Sequence, residues 1–299
     1  MFRAVLQLLV LAVALGSARA AEPTAVRFGL TAVVVRENLQ LYDRWSAYLS
    51  KHVGRPVHFV QARSYREIMG LLEAGGLDFG WICGYPFVQK RDPEFLELLA
   101  VPVFEGAPLY RSYIIVPRDS AFAALADLEG RVFALSDPDS NSGYLVPQAM
   151  LARMGHRPDS FFRLNFFTYS HAETIEAVAE GLADGGAVDS YVWEYLNRTQ
   201  PDLTAQTRII VRSDTFGFPP LVSRLGIDPE LRDAMAAVLV GMTAEPEGRE
   251  LLDAFALDRF GTFPESLFDS IRETADSLRQ VPLVAPPPAR AVRIIGDSE

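Results

Sequence analysis

The chain has 299 residues, of which 22% are charged, and its 38 acidic and 28 basic side chains give a formal net charge of −10. A chain this acidic repels nucleic acid and anionic lipid at long range, so neither is expected as a partner. The length corresponds to roughly two domains of ordinary size.

The first twenty residues have the order of a secretory signal. Arg3 is followed by the apolar run AVLQLLVLAVALG and then by ARA, which ends at Ala20. This order predicts cleavage before Ala21, and the run is too short to span a bilayer stably. Loss of Arg3 and Arg19 would leave 26 basic against 38 acidic residues, a formal charge of −12. We therefore expect a periplasmic protein with no membrane insertion after signal removal.

The body of the chain alternates short apolar or β-branched runs with amphipathic stretches, which predicts an α/β fold with largely parallel sheets. Predicted strands are 25–31, 56–62, 78–83, 96–104, 111–117, 131–136, 163–169, 185–190 and 207–213. Helices are predicted between them, including 37–52 and 230–243. Residues just past the strands are candidates for a site, because ligands of open α/β sheets bind at the carboxyl ends of the strands. The last segment, 281–299, has three consecutive prolines and predicts a flexible, extended tail.

An internal repeat lies within this alternation. Shifted by 106 positions, SYREIMGLLEAGGLDFGWICGY (64–85) aligns without a gap on SHAETIEAVAEGLADGGAVDSY (170–191), with six identities in 22 positions. Average composition would give about one or two. Each copy has a serine N-cap, a helix with a glutamate in its first turn, a glycine stop and a buried strand. We therefore expect two similar lobes, each carrying this unit.

The repeat matches positions that could bind a ligand from opposite sides of a cleft. The matched pairs are Tyr65 with His171, Cys83 with Asp189, and Tyr85 with Tyr191. The first pair follows the N-cap serine, the second ends the strand, and the third lies two residues further on. Each position also has a structural interpretation, as a packing tyrosine, a cap or turn aspartate, or a small buried cysteine.

The stretch SDPDSNSGYLVP (136–147) is rich in hydroxyl, amide and carboxylate groups but contains no Lys or Arg. A nucleotide-hydrolysing phosphate loop would carry a lysine after its last glycine. A helix that begins near Ser142 would instead present unsatisfied N–H groups and about half a positive charge, and Ser140 and Asn141 add side-chain donors. Neutral donors of this kind can bind a small anion and release it. The same residues are also ordinary N-caps.

Four segments together carry a family resemblance: DPDSNSGYLVP, YSHAETIEAV, GAVDSYVWEYL and FGFPPLV. Over about 27 to 270, the chain resembles the periplasmic phosphonate/phosphite/phosphate-binding proteins of ABC transporters. The resemblance implies a two-lobed periplasmic-binding-protein-like fold, with two crossover hinge strands and a ligand cleft between the lobes. We assign 21–112 and 213–280 to lobe 1 and 113–212 to lobe 2.

The resemblance also implies the function and the site. The chain would capture a small phosphorus oxyanion for the permease of an ABC importer. The oxyanion would lie against Ser140, Asn141 and Ser142, and further ligand positions match Tyr65, His171 and the region from Asp189 to Tyr191. The family commonly has Ser-Thr-Ser where this chain has Ser-Asn-Ser, and a tyrosine where it has Phe87. Phe87 stays with Tyr85 and Cys83 among the candidate contacts, and the choice of oxyanion stays open.

The remaining motifs predict neither an enzyme nor a metal site. No Ser-x-x-Lys, Gly-x-Ser-x-Gly, His-Glu-x-x-His or lysine-bearing phosphate loop follows the signal, so we expect no catalysis and no cofactor. The four histidines lack metal-ligand spacing. Asp78 and Asp184 are interpreted as structural turn residues, and GFPP (217–220) as a rigid turn near the hinge.

One alternative function stays open. Cys83 is the only cysteine, so it cannot form an intramolecular disulfide. Binding proteins similar to this family also serve as sensors of arsenite, and such a protein would act on a membrane sensor kinase rather than a permease. A single thiol is a weak ligand for a soft metalloid, however. In either case we expect a monomer.

Overall fold

The computed structural model describes residues 24–31, 39–89 and 94–280; the predicted signal and the predicted tail lie outside them. The strands are β1 Val26–Leu30, β2 Val57–Gln61, β3 Phe79–Trp81, β4 Leu96–Val103, β5 Leu109–Pro117, β6 Val132–Leu135, β7 Leu164–Phe167, β8 Gly185–Asp189, β9 Thr207–Gly217, β10 Leu221–Arg224 and β11 Arg259–Gly261. All nine predicted strands are therefore present. The two that the sequence did not predict, β10 and β11, are short segments.

The helices lie between and after these strands. They are α1 Leu39–Val53, α2 Tyr65–Glu73, α3 Gly84–Val88, α4 Val146–Arg153, α5 Pro158–Phe161, α6 His171–Ala179, α7 Ser190–Thr199, α8 Pro201–Thr204, α9 Pro229–Gly241, α10 Pro246–Ala254 and α11 Asp269–Gln280. Single 3-10 turns occur at Leu125–Leu128, Met242–Ala244 and Glu265–Phe268, and a π-helical turn at Asn141–Leu145. None of the helices described here is long and apolar enough to cross a membrane.

The strands form two sheets, and each sheet is the centre of one lobe. The sheet of lobe 1 has the order β11-β4-β10-β3-β1-β2, and that of lobe 2 the order β7-β6-β8-β5-β9. In lobe 1, β1 lies between β2 and β3 and is parallel to both; in lobe 2, β6 has the same relation to β7 and β8. Val26 and Val132, which begin β1 and β6, are 106 residues apart, as are the first residues of β3 and β8. The repeat therefore includes the sheets as well as the 22 aligned residues.

The prediction of largely parallel sheets was wrong. Among the described strands, β10 is antiparallel to β3 and β4, β11 to β4, and β5 to β8 and β9. The cause is the chain path, because β5 and β10 each enter their sheet from the other lobe. A crossing strand of this kind joins the parallel core from the opposite direction.

The chain crosses between the lobes twice, at 104–108 and at 218–220. The crossings touch, since Phe218 N donates to Pro108 O at 2.8 Å. The second contains the predicted GFPP turn, which is held to the end of β3: Trp81 Nε1 donates to Pro219 O and Ile82 N to Pro220 O, both at 3.0 Å. Strand pairing places all of β5 and β9 in the lobe 2 sheet, so this sheet extends a few residues beyond the limits of 113 and 212.

The two copies of the repeat unit have the same local geometry. Ser64 Oγ accepts from Glu67 N, and Ser170 Oγ from Glu173 N, each at 3.3 Å. Each helix is followed by a glycine in the left-handed region, Gly181 with φ 73° in the second copy. These are the N-cap and the glycine stop that the sequence predicted.

The aspartate before each central strand is structural, as predicted. Asp78 Oδ2 accepts from Arg27 N at 3.0 Å, and Asp184 Oδ2 accepts from Val132 N at 2.8 Å. Each carboxylate thus ties the start of one parallel strand to its neighbour. This fixes the register that brings the carboxyl ends of the strands to the interface between the lobes.

Candidate ligand-binding site

The donor-rich segment Ser140–Ser142 forms the start of a helix that faces lobe 1. Ser140 is the N-cap, and its Oγ accepts from Gly143 N at 3.0 Å. The first turn is π-helical and continues into α4, so the helix begins one residue before the predicted Ser142. Gly143 is required by close packing, because a Cβ there would lie 1.8 Å from Ser136 Oγ. The three residues of the segment are fully buried.

Several buried polar atoms near this helix start have no hydrogen-bond partner in the protein. They are Ser136 Oγ, Asn141 Oδ1, Ser142 Oγ and Asp189 Oδ2. Leaving one buried polar group unsatisfied costs about 1 to 3 kcal/mol, so a group of them requires an explanation. Recognition of a small polar ligand is such an explanation.

Tyr65 and His171, matched by the repeat, contact each other across the interface. The Tyr65 hydroxyl lies 3.3 Å from His171 Nε2. His171 Nδ1 accepts from Asp189 N at 3.1 Å, so the ring proton is on Nε2 and points towards Tyr65. Burial lowers the pKa of His171 to about 3, which keeps the ring neutral at physiological pH.

Asp189 is both a helix cap and a free acceptor. Its Oδ1 accepts from Tyr191 N at 2.8 Å and from Val192 N at 3.4 Å, which caps α7. Its Oδ2 has no partner, and the residue is 1% exposed. Burial raises the pKa of this carboxyl to about 7, although the two N–H donors oppose the rise. The residue can therefore gain or lose a proton near neutral pH.

Cys83, matched with Asp189, contacts the donor segment from lobe 1. Its Sγ accepts from Asn141 N at 3.2 Å. Burial raises the pKa of the thiol to about 11, so Cys83 is a neutral thiol at physiological pH. It is also part of the buried apolar core. Cys83 thus packs in the core and also borders the donor segment, and its contact with the ligand stays a prediction.

Two residues of the site were missed in the sequence. Tyr110 is 2% exposed, and its hydroxyl accepts from Asn141 Nδ2 at 3.0 Å. Ser112 Oγ donates to Ser142 O at 2.6 Å. Both lie on β5, which the sequence predicted to begin at 111 and did not place beside the donor segment. The feature that could have indicated Tyr110 and Ser112 is the position of β5 directly after the first crossing between the lobes.

Three further predicted contacts have neighbours of their own. The Tyr191 hydroxyl donates to Phe255 O at 2.8 Å, and its ring packs on Phe218 in the second crossing. The Phe87 ring packs edge-on against Phe268, with 5.0 Å between centroids. Tyr85 is half-buried near Tyr144, which belongs to the π-helical turn. Contact of these three side chains with the ligand stays a prediction.

The hydrogen-bond donors that the described residues bring to the site are neutral groups. In the described part of the chain, no Lys or Arg side chain donates a hydrogen bond to Ser140–Ser142, His171 or Asp189. The ionised form of Tyr65 is disfavoured first by burial and then by Cys83, Asp137 and Asp189, and its pKa lies well above the usual value. No group of three or more His, Cys, Asp and Glu side chains that could hold a metal ion occurs among the described residues.

Two similar α/β lobes that are joined by two crossings and enclose polar residues define a two-lobed, periplasmic-binding-protein-like solute-binding protein. Residues 28–267 match the family of periplasmic substrate-binding proteins of phosphonate ABC transporters, and the chain belongs to this family. The resemblance seen in the sequence is thereby confirmed. Proteins of this family bind solutes for ABC importers and are not enzymes, so a small ligand and a permease are the partners of the chain.

Relatives and solved structures agree with this assignment. The phosphonates-binding periplasmic protein of Escherichia coli is 24% identical over 259 residues, which cover 84% of this chain and 76% of the relative. A binding protein component of a phosphonate ABC transporter from Pseudomonas aeruginosa has 25% identity and a TM-score of 0.78, with 84% and 85% of the two chains covered. The Prochlorococcus marinus protein PhnD1 in complex with methylphosphonate has 20% identity and a TM-score of 0.77, with 86% and 99% covered.

Proposed function

We propose that the chain captures a small phosphorus oxyanion of the phosphonate, phosphite or phosphate type, carrying one proton, for an ABC importer. The observation that carries the proposal is a group of buried, unpartnered polar atoms, namely Asn141 Oδ1 and Ser142 Oγ at the helix start before α4 and Asp189 Oδ2 at the start of α7. The names of the relatives support the ligand class, since one binds phosphonates and another was solved with methylphosphonate.

Each group has a role in this proposal. The start of the helix, with the hydroxyls of Ser140 and Ser142, donates to the charged oxygens of the ligand. When the ligand lies between them, His171 Nε2–H and the Tyr65 hydroxyl donate to it from the two sides of the interface instead of pairing with each other. Asp189 Oδ2 accepts from the P–OH group of the ligand. An ionised carboxylate repels a fully deprotonated oxyanion, so Asp189 favours the ligand that still carries a proton.

The remaining features of the proposal concern the whole chain. Residues 1–20 are a signal that is cleaved before Ala21, and the mature protein acts in the periplasm as a monomer. Lobe 1 comprises 21–112 and 213–280, and lobe 2 comprises 113–212. The two sheets and the two crossings support a division into two lobes, although β5 and β9 of the lobe 2 sheet extend a few residues past these limits.

A second candidate function is arsenite sensing, and one observation favours it: Cys83 Sγ borders the donor segment at 3.2 Å from Asn141 N. The protonated state of the thiol and the lack of a second sulfur argue against it. The two candidates predict different ligands and a different response to loss of the sulfur.

Calorimetric titration of the purified chain tests the main proposal. The ligands are methylphosphonate, phosphite and phosphate, with sulfate as the control because it carries no proton at neutral pH. We expect binding of at least one phosphorus oxyanion and none of sulfate. Because the carboxylate and the ligand share a single proton in this complex, the affinity should be highest near pH 7, fall in mild acid, where Asp189 gains a proton, and fall in alkaline solution, where the ligand loses its second proton. Sulfate binding as tight as that of the phosphorus ligands would contradict the proposal.

A further inference from the structure

The first backbone N–H of a helix has no partner within the helix. In α2 of lobe 1 this N–H belongs to Tyr65, and it donates to Asp137 Oδ2 of lobe 2 at 3.1 Å. Asp137 is 1% exposed, and its Oδ1 accepts from Asp139 N at 2.8 Å. One buried carboxylate of lobe 2 therefore caps a helix of lobe 1.

This contact is not a product of the internal repeat. The residue 106 positions before Asp137 is Thr31, at the end of β1. Thr31 Oγ1 donates to Trp81 O at 2.9 Å, within lobe 1. The equivalent position of the other lobe thus bonds inside its own lobe, whereas Asp137 reaches across the interface.

We propose that Asp137 is a positioning residue for ligand capture: its carboxylate holds the start of α2 against lobe 2 and so places the Tyr65 hydroxyl beside His171. The proposal rests on the proposed function, because Tyr65 and His171 are ligand contacts only there. The hydroxyl and the ring lie 3.3 Å apart, and Tyr65 contributes both its N–H to Asp137 and its hydroxyl to the site. Movement of this one residue therefore changes both contacts.

A second cross-lobe contact lies beside the first but is weaker. Arg66 and Asp139 form an ion pair at 3.3 Å, and the Arg66 side chain is 73% exposed. Solvent screens such a pair, so it contributes little to closure. The charged and titratable groups that act on Asp137 are Asp139, Arg66 and Tyr65. Burial raises the pKa of Asp137, while its two N–H donors lower it.

The substitution Asp137→Asn removes the charge of the carboxylate and keeps the shape of the side chain. The amide keeps one acceptor oxygen but replaces the other with an NH₂ group, which cannot accept from an N–H. Either Tyr65 N or Asp139 N then loses its partner. The matched control is Asp184→Asn, because Asp184 makes the same kind of bond to Val132 N, with both partners inside lobe 2.

The test measures amide hydrogen exchange at Tyr65 by NMR, with and without saturating methylphosphonate, and the affinity by calorimetry. In the parent protein with methylphosphonate we expect the Tyr65 amide to exchange slowly, since only closure of the lobes gives it a partner. Asp137→Asn should accelerate this exchange and weaken methylphosphonate binding roughly tenfold to a hundredfold, as expected for loss of a hydrogen bond to a charged group. Asp184→Asn should change neither value by more than about twofold.

The outcomes distinguish this inference from the proposed function. If methylphosphonate does not bind the parent, the ligand assignment fails, and exchange at Tyr65 in the ligand-free parent and variant still tests Asp137. Asp137→Ser is measured beside Asp137→Asn, because serine can still accept from Asp139 N but is too short to reach Tyr65, whereas the one amide oxygen of asparagine can serve either N–H. Unchanged protection of Tyr65 in both variants, or a fast amide in every form of the parent, would overturn the inference.

Discussion

The two copies of the repeat unit share a backbone but contribute different chemistry to the interface. In lobe 2, the residue that ends the strand is Asp189, which caps its helix and presents a free oxygen. In lobe 1, the matching residue is Cys83, which makes no side-chain cap and packs in the apolar core. Lobe 2 also carries the donor segment. In the proposed site, lobe 2 therefore holds most of the recognition groups, and lobe 1 mainly covers them.

The largest effect on binding affinity is expected from Ser142→Ala in lobe 2. The Ser142 hydroxyl lies near the Tyr110 hydroxyl but makes no well-formed hydrogen bond in the protein, so its loss should act mainly on ligand binding. We expect a loss of about 1.5 to 3 kcal/mol in binding free energy, roughly tenfold to a hundredfold in affinity. Calorimetric titration with methylphosphonate, or with whichever phosphorus oxyanion the parent binds, measures it.

The matched control for Ser142→Ala is Ser223→Ala. Ser223 lies on β10 of lobe 1 and is also fully buried, with an unpartnered hydroxyl. We expect its substitution to leave the affinity unchanged. Equal losses of affinity in the two variants would show that the Ser142 hydroxyl acts through the stability of the protein and not through contact with the ligand.

Asp189→Asn should weaken binding and stabilise the ligand-free protein. Burial raises the pKa of Asp189 to about 7 from an ordinary value of 3.8, so its neutral form is favoured in the folded protein. The favourable contribution is complete below about pH 4 and is lost as the pH rises to about 7. Above pH 7 the asparagine variant should therefore be more stable, by at most about 4 kcal/mol.

Thermal unfolding of Asp189→Asn and its parent at pH 5 and pH 8 measures this difference. Asparagine caps a helix as well as aspartate does, so loss of the cap should not mask it. A variant that is equally destabilised at both pH values would show that Asp189 acts only as a cap. Asp189→Asn should also weaken binding of the protonated ligand at both pH values.

Tyr65→Phe and His171→Gln test whether the matched residues act as a pair. Each substitution should weaken binding, and together they should weaken it by less than the sum of the two. We expect a coupling of about 0.5 to 1.5 kcal/mol, since the second change removes a partner that the first has already lost. A double-mutant cycle on binding free energy measures the coupling, and Tyr113→Phe, whose hydroxyl donates to Glu194 outside the site, is the control.

The smallest effect on the binding of phosphorus oxyanions is expected from Cys83→Ser. Serine keeps an acceptor for Asn141 N, so the affinity should change by less than about 1 kcal/mol. A thermal shift assay compares methylphosphonate with arsenite, since a ligand at 100 times its dissociation constant adds about 2.7 kcal/mol of stability. An arsenite shift that disappears in the variant, without a shift by any phosphorus ligand, would favour the sensor function instead.

The sequence predicted the parts of the site that local patterns determine. The Ser140–Ser142 helix start and the pairing of Tyr65 with His171 followed from N-cap chemistry and from the repeat. Tyr110 could not be predicted, because its place beside Asn141 depends on how β5 crosses between the lobes.

The errors in the predicted fold have the same physical origin. The short strands β10 and β11 and the antiparallel pairing of β5 are set by tertiary contacts rather than by periodicity. For Tyr191, the repeat indicates a position just past the strand of lobe 2. The direction of its hydroxyl is set by the hydrogen bond to Phe255 O, which the repeat does not indicate.

The neutral hydroxyl, imidazole and N–H groups of the proposed site affect how binding should respond to salt. Buried hydrogen bonds to neutral groups are screened little by ions, so the dissociation rate of the ligand should be nearly independent of ionic strength. The chain as a whole carries a formal charge of −10 and repels an anion that approaches from solution. Screening relieves this repulsion, so added salt should speed up ligand association, the reverse of its effect on a site that attracts anions with lysine or arginine.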